Sequence, residues 1–519
     1  MYPGKWAELT PDRVAVTMTG SGRSLTYREL NDNSLRTAHF LRDEMGLVPG
    51  DSIVVVSDNL PEVLELYWAG IRSGLYATFV NSHLTGEEAD YIIENCGAKV
   101  LFFSANLHEL AEHIQASTVE RRFSFVGDLP GYERYETMRD AQSNDPIVGV
   151  PRGDSMLYSS GTTGRPKGIR RPLSGILVED SATIELLLNT YKVFYGFGED
   201  VTYLSPAPAY HAAPLAYMAM VQGFGGTVVM MERFDAEGVL QAIEKYNVTH
   251  SQMVPTMFVR LLKLDEDVRN KYDVSSLRTV IHAAAPCPVD VKRAMIDWWG
   301  PVLKEYYAST EAAGSTIIDS ETWLKRPGSV GQAAPSCVVH ICDDSGNELP
   351  PHGVGTVFFE SLLATDRPFS YYNDEEKSKN AEHPRHSNWT TVGDLGYLDE
   401  EGFLFLTDRK SFMIISGGVN IYPQEIEDVF TLHPKIADIA VIGVKDDEMG
   451  ERVVAFVQAS PGTVGDDDLV SELTAYAREH LAGFKVPREF HFRDSLPRTP
   501  TGKMVKGKLK TEYELTHAG

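Results

Sequence analysis

Short apolar runs alternate with amphipathic stretches over roughly the first 400 residues of the chain. The β-branched run Ile53–Val56 predicts a buried strand. A helix is predicted from Pro61 to the glycine at 74, and its apolar residues on or near one face are Val63, Leu66, Tyr67 and Ile71. Further strands are predicted at Val100–Phe103, Val201–Leu204 and Thr227–Met231, and a further helix at Ala236–Tyr246. Such alternation indicates helices that cover largely parallel sheets, an α/β fold.

The pattern changes near residue 400. A hairpin is predicted over Tyr397–Phe405, and the residues after it have their own order of elements. That order is a helix over Gln424–Leu432, strands at Ile439–Val444 and Val453–Gln458, and a helix over Asp467–Leu481. We therefore expect a large N-terminal domain of sheets and helices, residues 1–410, and a small mobile α+β domain, residues 411–519, with the junction at about Ser411.

Composition narrows the class of protein. The chain has 519 residues, 43% of them hydrophobic and 10% aromatic, which is typical of a globular protein. A formal charge of −25 argues against nucleic-acid and anionic-membrane partners, which require basic surfaces. No apolar run is long enough for a transmembrane helix, and the first nine residues contain no signal core. The four cysteines fit no zinc-binding spacing and are expected to be buried, reduced thiols in the cytoplasm: Cys96, Cys287, Cys337 and Cys342.

Residues 158–168 read Tyr-Ser-Ser-Gly-Thr-Thr-Gly-Arg-Pro-Lys-Gly, directly after an apolar run. Glycines let backbone amides approach a polyanion, hydroxyls donate hydrogen bonds, and lysine adds a point charge, so the segment suits a triphosphate. The common phosphate loop has its Lys directly after the second glycine, whereas Arg165 and Pro166 intervene here. Pro166 also prevents an immediate helix start. The stretch predicts a different kind of nucleotide loop, the alternative being an ordinary surface turn.

Six further segments follow in order along the chain. They are His282–Pro286, Tyr306–Glu311, Val392–Asp394, Thr407–Arg409, Ser416–Pro423 and Pro500–Lys503. With the loop, this series resembles the adenylate-forming superfamily of acyl- and aryl-CoA synthetases, peptide-synthetase adenylation domains and beetle luciferases, over nearly the whole chain. The resemblance implies a two-step reaction: a carboxylate attacks the α-phosphorus of ATP and releases pyrophosphate, then a thiol takes the acyl group and AMP leaves. The small domain is expected to rotate between the steps.

The resemblance also implies roles for residues of the large domain. The loop would hold the β- and γ-phosphates through Ser159, Ser160, Gly161, Thr162, Thr163, Gly164 and Lys167. Glu311 would bind Mg²⁺, Thr310 the α-phosphate, and Tyr307 would stack on adenine. The turn at Ala284 and Ala285 would approach the adenine edge, although Ala283 and Ala308 stand where glycine is usual, which puts the backbone angles there in question. Asp394 would accept from the ribose hydroxyls, and Arg409 would reach the ribose or the α-phosphate.

In the small domain, Lys503 would bridge the carboxylate and the α-phosphate during adenylation, although a lysine in such a loop is ordinarily solvated. The glycine-rich turn Ser416, Gly417 and Gly418 would form the wall of a pantetheine tunnel for coenzyme A. Ser411 stands two residues after the matched arginine, where the family usually has a hinge Asp or Lys.

His211 lies where amino-acid-activating relatives have an Asp that pairs with the substrate ammonium, so amino acids are disfavoured. We expect His211 near the carboxylate or the thiol tunnel, unless it is an ordinary core histidine. Small residues at 283–285 and 312–315 favour a medium- or long-chain fatty acid or a polycyclic terpenoid- or steroid-like acid. The main hypothesis is an acyl-CoA synthetase. The alternatives are a stand-alone enzyme that loads a carrier protein and a non-catalytic sensor of AMP or acyl chains, and a homodimer is left open.

Overall fold

The computed structural model describes residues 2–159, 166–364, 366–409, 412–446, 448–498 and 504–517. The strands before residue 410 are β1 (Val14–Met18), β2 (Ser24–Thr26), β3 (Ser52–Val56), β4 (Tyr76–Val80), β5 (Ala98–Ser104), β6 (Arg121–Phe125), β7 (Glu133–Arg134), β8 (Asp154–Ser155), β9 (Leu157–Ser159), β10 (Lys167–Arg170), β11 (Thr202–Ser205), β12 (Thr227–Met230), β13 (His250–Met253), β14 (Thr279–His282), β15 (Leu303–Ala308), β16 (Ser315–Asp319), β17 (Ser329–Ala333), β18 (Cys337–Cys342), β19 (Gly355–Ser361), β20 (Ser370–Tyr371), β21 (Glu382–His383), β22 (His386–Thr390), β23 (Asp394–Leu398) and β24 (Leu404–Arg409). Those after it are β25 (Ile414–Ser416), β26 (Val419–Ile421), β27 (Ile436–Asp446), β28 (Gly450–Ala459) and β29 (Glu489–Phe492).

The helices of the large domain are α1 (Pro3–Leu9), α2 (Tyr27–His39), α3 (Glu62–Arg72), α4 (Gly86–Asn95), α5 (His108–Ala111), α6 (Tyr135–Asp140), α7 (Ser181–Leu187), α8 (Asn189–Tyr195), α9 (Ala212–Gly223), α10 (Ala236–Tyr246), α11 (Pro255–Leu262), α12 (Glu266–Arg269), α13 (Val289–Trp299), α14 (Ser320–Lys325) and α15 (Glu375–Asn380). Those of the small domain are α16 (Pro423–Phe430), α17 (Asp467–His480) and α18 (Lys506–His517).

One sheet of the large domain is parallel throughout its described strands, in the order β7-β6-β5-β3-β4-β8. Strand β3 lies in its middle with every residue buried, as its run of β-branched side chains predicts. The predicted α/β alternation is therefore confirmed for this sheet. Within the described residues, no helix combines the length and apolar character needed to cross a membrane.

The second sheet changes direction at the strand that leads into the candidate site. From β1 through β12, β11, β13 and β14 to β15 the neighbours are parallel, and from β15 through β16 and β17 to β24 they are antiparallel. Since β14 and β15 run in the same direction, the segments after them emerge at one edge of the sheet. These segments are 283–285 and 309–311, two of those that the sequence singles out.

The small domain has its own sheet, in the order β26-β25-β28-β27 with β29 beside β28. Apolar side chains of α16 and α17 pack on this sheet around Ile426, Phe430, Val441 and Leu473. The elements match those predicted within a few residues at each end. The fold is thus a large α/β sheet domain followed by a small α+β domain. The boundary at 410–411 lies outside the described residues and stays a prediction.

The cysteines are free thiols in the structure. Cys96, Cys337 and Cys342 are buried as predicted, whereas Cys287 is only half-buried. It follows the turn at 283–285 rather than lying inside an element, so the sheet does not enclose it on all sides.

Candidate active site

The predicted phosphate loop joins two antiparallel strands. Lys167 of β10 is paired with Ser159 of β9, so the chain reverses between them and continues as a strand after Pro166. The common phosphate loop leads into a helix, whereas this one leads into strand β10. This agrees with the prediction that Pro166 prevents an immediate helix start. Residues 160–165, which include the predicted ligands Ser160, Gly161, Thr162, Thr163 and Gly164, lie outside the described residues, as does the side chain of Ser159.

Tyr371 connects this hairpin to Glu311. Strand β20 pairs with β10, which sets Tyr371 opposite Ile169. The Tyr371 hydroxyl donates to Oε1 of Glu311 at 2.8 Å, and Nζ of Lys167 lies 5.9 Å from the centroid of the same ring. One aromatic ring therefore separates the lysine predicted to bind phosphate from the carboxylate predicted to bind the metal.

Sequence reasoning missed Tyr371. It lies 60 residues after Glu311, and its strand has two residues, too few for any periodicity. The aromatic pair Tyr371–Tyr372 after Pro368 is the one local signal, and it resembles ordinary core packing. Only the pairing of β20 with β10 brings this tyrosine to the site.

Glu311 lies in a tight turn three residues after the end of β15. Its side chain is buried, with 8% of the residue exposed. The amide of Ala312 donates to the carbonyl of Ser309 at 3.0 Å. Among the described residues, the buried Ser309 hydroxyl has no hydrogen-bond partner. This turn offers hydroxyls and a carboxylate, the oxygen donors that Mg²⁺ prefers.

The donor set fits a metal that is shared with a nucleotide. Within the described part of the chain, no group of three or more histidine, cysteine or acidic side chains could form a metal site by itself. Mg²⁺ in nucleotide enzymes is usually held by one or two carboxylates together with phosphate oxygens. A single buried Glu311 beside Thr310 matches that arrangement.

Tyr307 near the end of β15 and Asp394 at the start of β23 are in contact, although β16, β17 and β24 lie between these two strands in the sheet. The Tyr307 hydroxyl donates to Oδ2 of Asp394 at 2.6 Å, and 8% of Asp394 is exposed. Asp394 also lies directly opposite Arg409 in the β23–β24 pairing, while the Arg409 side chain is outside the described residues. The residues predicted to contact adenine and ribose are thus in direct contact with each other.

The backbone angles correct one expectation from the sequence. The left-handed conformation occurs at Ala284, with φ of 75°, and at Ala312, with φ of 54°, rather than at Ala283 or Ala308. An alanine in this region costs about 1 kcal/mol relative to glycine. Ala284 is exposed at the turn after β14, and Ala285 beside it is half-buried, so backbone there is open to a ligand. The strain lies one residue after the predicted position in the first turn and four residues after it in the second.

His211 immediately precedes α9. Its Nε2 is buried and has no hydrogen-bond partner among the described residues, and the same is true of the neighbouring Tyr210 hydroxyl. Burial, with a smaller contribution from His83, lowers the pKa of His211 to about 4, so the ring is neutral near neutral pH. The core residue His250 differs, because its Nδ1 lies 2.8 Å from the Thr249 hydroxyl and its Nε2 donates to the Tyr195 carbonyl at 2.9 Å. The comparison favours a binding role for His211 over a packing role.

The predicted tunnel wall is a hairpin turn. Gly417 and Gly418 join β25 to β26 with φ of 57° and 78°, a pair of left-handed residues that glycine adopts at little cost. The Gly417 amide donates to the Met449 carbonyl at 2.7 Å, and a Cβ on Gly417 would lie 2.5 Å from Met449 Cε. Ser416 is half-buried and the two glycines are exposed, so the turn presents bare backbone.

Lys503 lies outside the described residues, but the segments on either side of its loop are described. Arg498 makes two 2.6 Å hydrogen bonds to the Asp438 carboxylate, and its backbone forms a bridge with Met504. Helix α18 begins at Lys506, whose Nζ lies 2.9 Å from Oε1 of Glu427. Both ends of the loop are therefore anchored to the small domain.

Comparisons with known proteins identify the family. The model of the AMP-binding enzyme family matches residues 4–363, and that of the AMP-binding enzyme C-terminal domain matches residues 425–503. The chain belongs to this family within the adenylate-forming superfamily and is an AMP-forming acid–thiol ligase.

Individual relatives match over nearly their whole length. The chain is 29% identical to the long-chain-fatty-acid–CoA ligase FadD13 of Mycobacterium tuberculosis, over 98% of this chain and 97% of that protein. It is 32% identical to a feruloyl-CoA synthase of an Amycolatopsis species, over 99% and 98%. The structure of o-succinylbenzoate CoA synthetase (MenE) from Bacillus subtilis with its acyl-adenylate intermediate superposes with a TM-score of 0.79 at 26% identity, covering 98% of this chain and 97% of that one.

Proposed function

We propose that the protein is an ATP-dependent acyl-CoA synthetase that adenylates a carboxylic acid with an apolar body and transfers the acyl group to coenzyme A. The observation that carries the proposal is the pair of contacts at the end of β15: Tyr371 between Lys167 and Glu311, and Tyr307 on Asp394. The first contact is on the triphosphate side and the second on the nucleoside side. Thr310, between Tyr307 and Glu311 in sequence, is the residue assigned to the α-phosphate.

In the first step, the acid's carboxylate attacks the α-phosphorus of ATP and pyrophosphate leaves. Lys167 and the loop hydroxyls orient the leaving phosphates, and Asp394 accepts from the ribose. Mg²⁺ held by Glu311 would supply positive charge to the phosphate oxygens. Neutral His211 can donate one hydrogen bond to the carboxylate. Because the ring carries no charge, it does not lower the nucleophilicity of the carboxylate as an ion pair would. Lys503 offsets the charge that develops between carboxylate and phosphate.

In the second step, the thiol of coenzyme A attacks the acyl carbonyl and AMP leaves. The bare backbone at Gly417 and Gly418 can border a narrow pantetheine arm. At Gly417 an added Cβ would also lie against Met449. A cytoplasmic location and a homodimer stay predictions from the sequence.

Two assays test the proposal. Pyrophosphate exchange with a panel of acids measures adenylation, and mass detection of acyl-CoA against acyl-carrier protein identifies the acceptor. Exchange followed by acyl-CoA formation supports the proposal. Exchange with transfer only to a carrier protein would make the enzyme a carrier-loading ligase, and no exchange with any acid would favour a nucleotide sensor.

The length of the acid is a separate question. The sequence favours a long fatty or polycyclic acid because small residues at 312–315 are expected to leave room. However, a Cβ on Gly314 would lie 2.4 Å from the Phe359 ring, and Ala313 is buried in the same cluster of side chains. Core side chains already occupy the space beside these two residues, so they give no support for a long pocket.

A further inference from the structure

One buried carboxamide joins the two sheets of the large domain. Asn59 follows β3 of the first sheet, and only 6% of the residue is exposed. Its Nδ2 donates to the carbonyl of Ala207 at 3.1 Å and to that of Met231 at 2.8 Å, and its Oδ1 accepts from the Ala209 amide at 2.8 Å. These partners follow β11 and β12, two parallel strands of the second sheet. Asn59 therefore ties together the carboxyl ends of strands from both sheets, the edge where parallel sheets bind ligands.

The segment that Asn59 holds leads directly to His211. Pro206 and Pro208 have no N–H to donate, so the chain offers few backbone hydrogen bonds here. The His211 amide donates to the Pro208 carbonyl at 3.3 Å, within the segment itself. Among the described residues, the other hydrogen bonds of the backbone at 206–210 are those to Asn59. A single side chain therefore supplies the hydrogen bonds that fix this segment relative to the sheets.

The chain at Asn59 is itself anchored in the first sheet. The carboxylate of the preceding residue, Asp58, accepts from the Ser104 hydroxyl at 2.7 Å and from Nδ2 of Asn106 at 2.9 Å. Both partners lie at or just after the end of β5, which pairs with β3. In contrast, the buried Nε2 of His211 has no hydrogen-bond partner among the described residues. The backbone before His211, held by Asn59, therefore decides where the imidazole ring lies.

We propose, building on the function above, that Asn59 is a positioning residue for adenylation: its carboxamide sets the place from which His211 donates to the carboxylate of the acid. A displacement of about 1 Å near the reacting atoms can cost up to about 100-fold in rate. A side chain that touches only backbone can therefore affect the reaction through the residue that it places. Because its partners lie before His211 and after β12, the effect belongs to the acid and not to the nucleotide.

Asn59→Asp tests the two donors of the carboxamide. The side chain keeps its size and can still accept from the Ala209 amide, but it presents oxygen to the carbonyls of Ala207 and Met231. The assay is pyrophosphate exchange with whichever of octanoate, palmitate, benzoate and cinnamate is fastest with wild type. We expect kcat/KM for that acid to fall about tenfold or more, and KM for ATP to stay within about twofold. Wild-type kinetics, or an equal rise in KM for ATP, would overturn the inference.

A double-mutant cycle with His211→Ala separates positioning from a general structural effect. If Asn59 acts through the imidazole, Asn59→Asp should cost about tenfold in wild type but less than about twofold in the His211→Ala background. Losses that multiply would make the inference wrong while the proposed function stands. An unaffected kcat/KM in His211→Ala would remove the role of His211 and this inference with it. If no acid of the panel supports exchange by wild type, the proposed function itself fails.

Two further variants keep the test decisive if Asn59→Asp destabilises the domain. Asn59→Ser has a smaller, uncharged side chain and should show the same kinetic pattern. Gln222→Met is the matched control, because this carboxamide is also fully buried and accepts from Trp68 Nε1 at 2.7 Å, but lies about 16 Å along α9 from His211. It should lower the melting temperature and leave kcat/KM unchanged. Unfolding of both Asn59 variants beside a folded Gln222→Met would indicate a requirement for folding and contradict the positioning role.

Discussion

The contacts of Glu311 support its role as the Mg²⁺ ligand, and its replacement can test that role. It is buried, accepts from Tyr371, and lies across that ring from Lys167. Glu311→Gln keeps the shape and the amide oxygen that accepts from Tyr371, but removes the negative charge. We expect adenylation to fall about 100-fold and the Mg²⁺ concentration needed for half-maximal rate to rise, measured by pyrophosphate exchange.

Two matched variants complete that experiment. Tyr371→Phe should cost only about 3- to 10-fold, since it removes one hydrogen bond and keeps the ring. The exposed Glu376→Gln should behave as wild type. An unaltered Mg²⁺ requirement in Glu311→Gln would exclude Glu311 as the metal ligand.

Lys503 is tested by separating the two half-reactions. Lys503→Ala should nearly abolish adenylation, with a loss of about 2.7–4 kcal/mol of transition-state stabilisation, because its charge is needed while the pentavalent phosphorus forms. Thioester formation from supplied acyl-adenylate should fall far less. The exposed Lys508→Ala is the control. Equal losses in both half-reactions would contradict the assignment of Lys503 to the first step alone.

At the scale of elements, the sequence predicts most accurately where a helix is amphipathic and capped. The bounds of α10 are those predicted, because Asp235 accepts from the Gly238 amide at its start and Asn247 ends it in the left-handed conformation.

Helix α3 is predicted with one apolar face, yet every residue of it is buried. Its apolar side chains pack into two cores, and Glu65 is satisfied by Arg139, Tyr135 and Asn33 at 3.1, 3.0 and 2.8 Å. The helix could be predicted from its own residues, but its enclosure on all sides could not, since the partners of its polar side chains come from elsewhere in the chain.

The hinge is the element-scale prediction. Ser411 lies outside the described residues, and the chain on either side belongs to β24 and to the small domain. Ser411→Pro fixes φ near −65° and should hinder rotation of the small domain. We expect thioester formation to slow more than adenylation, by about tenfold or more, measured as the single-turnover rate of each half-reaction.

A substitution that leaves the backbone at 411 free is the control for the hinge. Ser411→Ala leaves φ free and should match wild type, because a pivot needs adjustable backbone angles rather than a given side chain. Unchanged turnover in Ser411→Pro would place the hinge elsewhere. Equal slowing of both steps would indicate a misfolded domain rather than a restricted one.

For the whole molecule, we expect the free energy of unfolding to fall in acid, because several buried histidines are neutral in the folded protein. Burial lowers the pKa of His211 and of His250 to about 4 each, and lowers that of His282 well below its usual value. The unfolded chain takes up these protons near pH 6.5, before the native protein does. The contribution of these histidines to the free energy of unfolding is therefore full above about pH 6.5 and is lost as the pH falls from there towards 4.

His250→Gln tests this dependence. The amide can still donate to the Tyr195 carbonyl but takes up no proton, so the melting temperature should fall less between about pH 7 and 5 than in wild type. His108→Gln, at an exposed position, should keep the wild-type slope. Equal slopes in the His250 variant and wild type would mean that this histidine is not neutral in the folded protein.

The sequence by itself determined the family, the order of elements and the polar residues of the motifs, because these are written in local spacing: hydroxyls and glycines at 158–168, Glu311 after Thr310, and Asp394 after a glycine. The structure alone decided which of them meet. Tyr371 reaches Glu311 from 60 residues away, and Asn59 reaches the segment before His211 from the other sheet. Such contacts depend on strand pairing and helix packing between distant segments, which no local pattern encodes. The size of the acyl pocket is decided in the same way, since small residues leave room only where no other side chain fills it, and at Gly314 the Phe359 ring does.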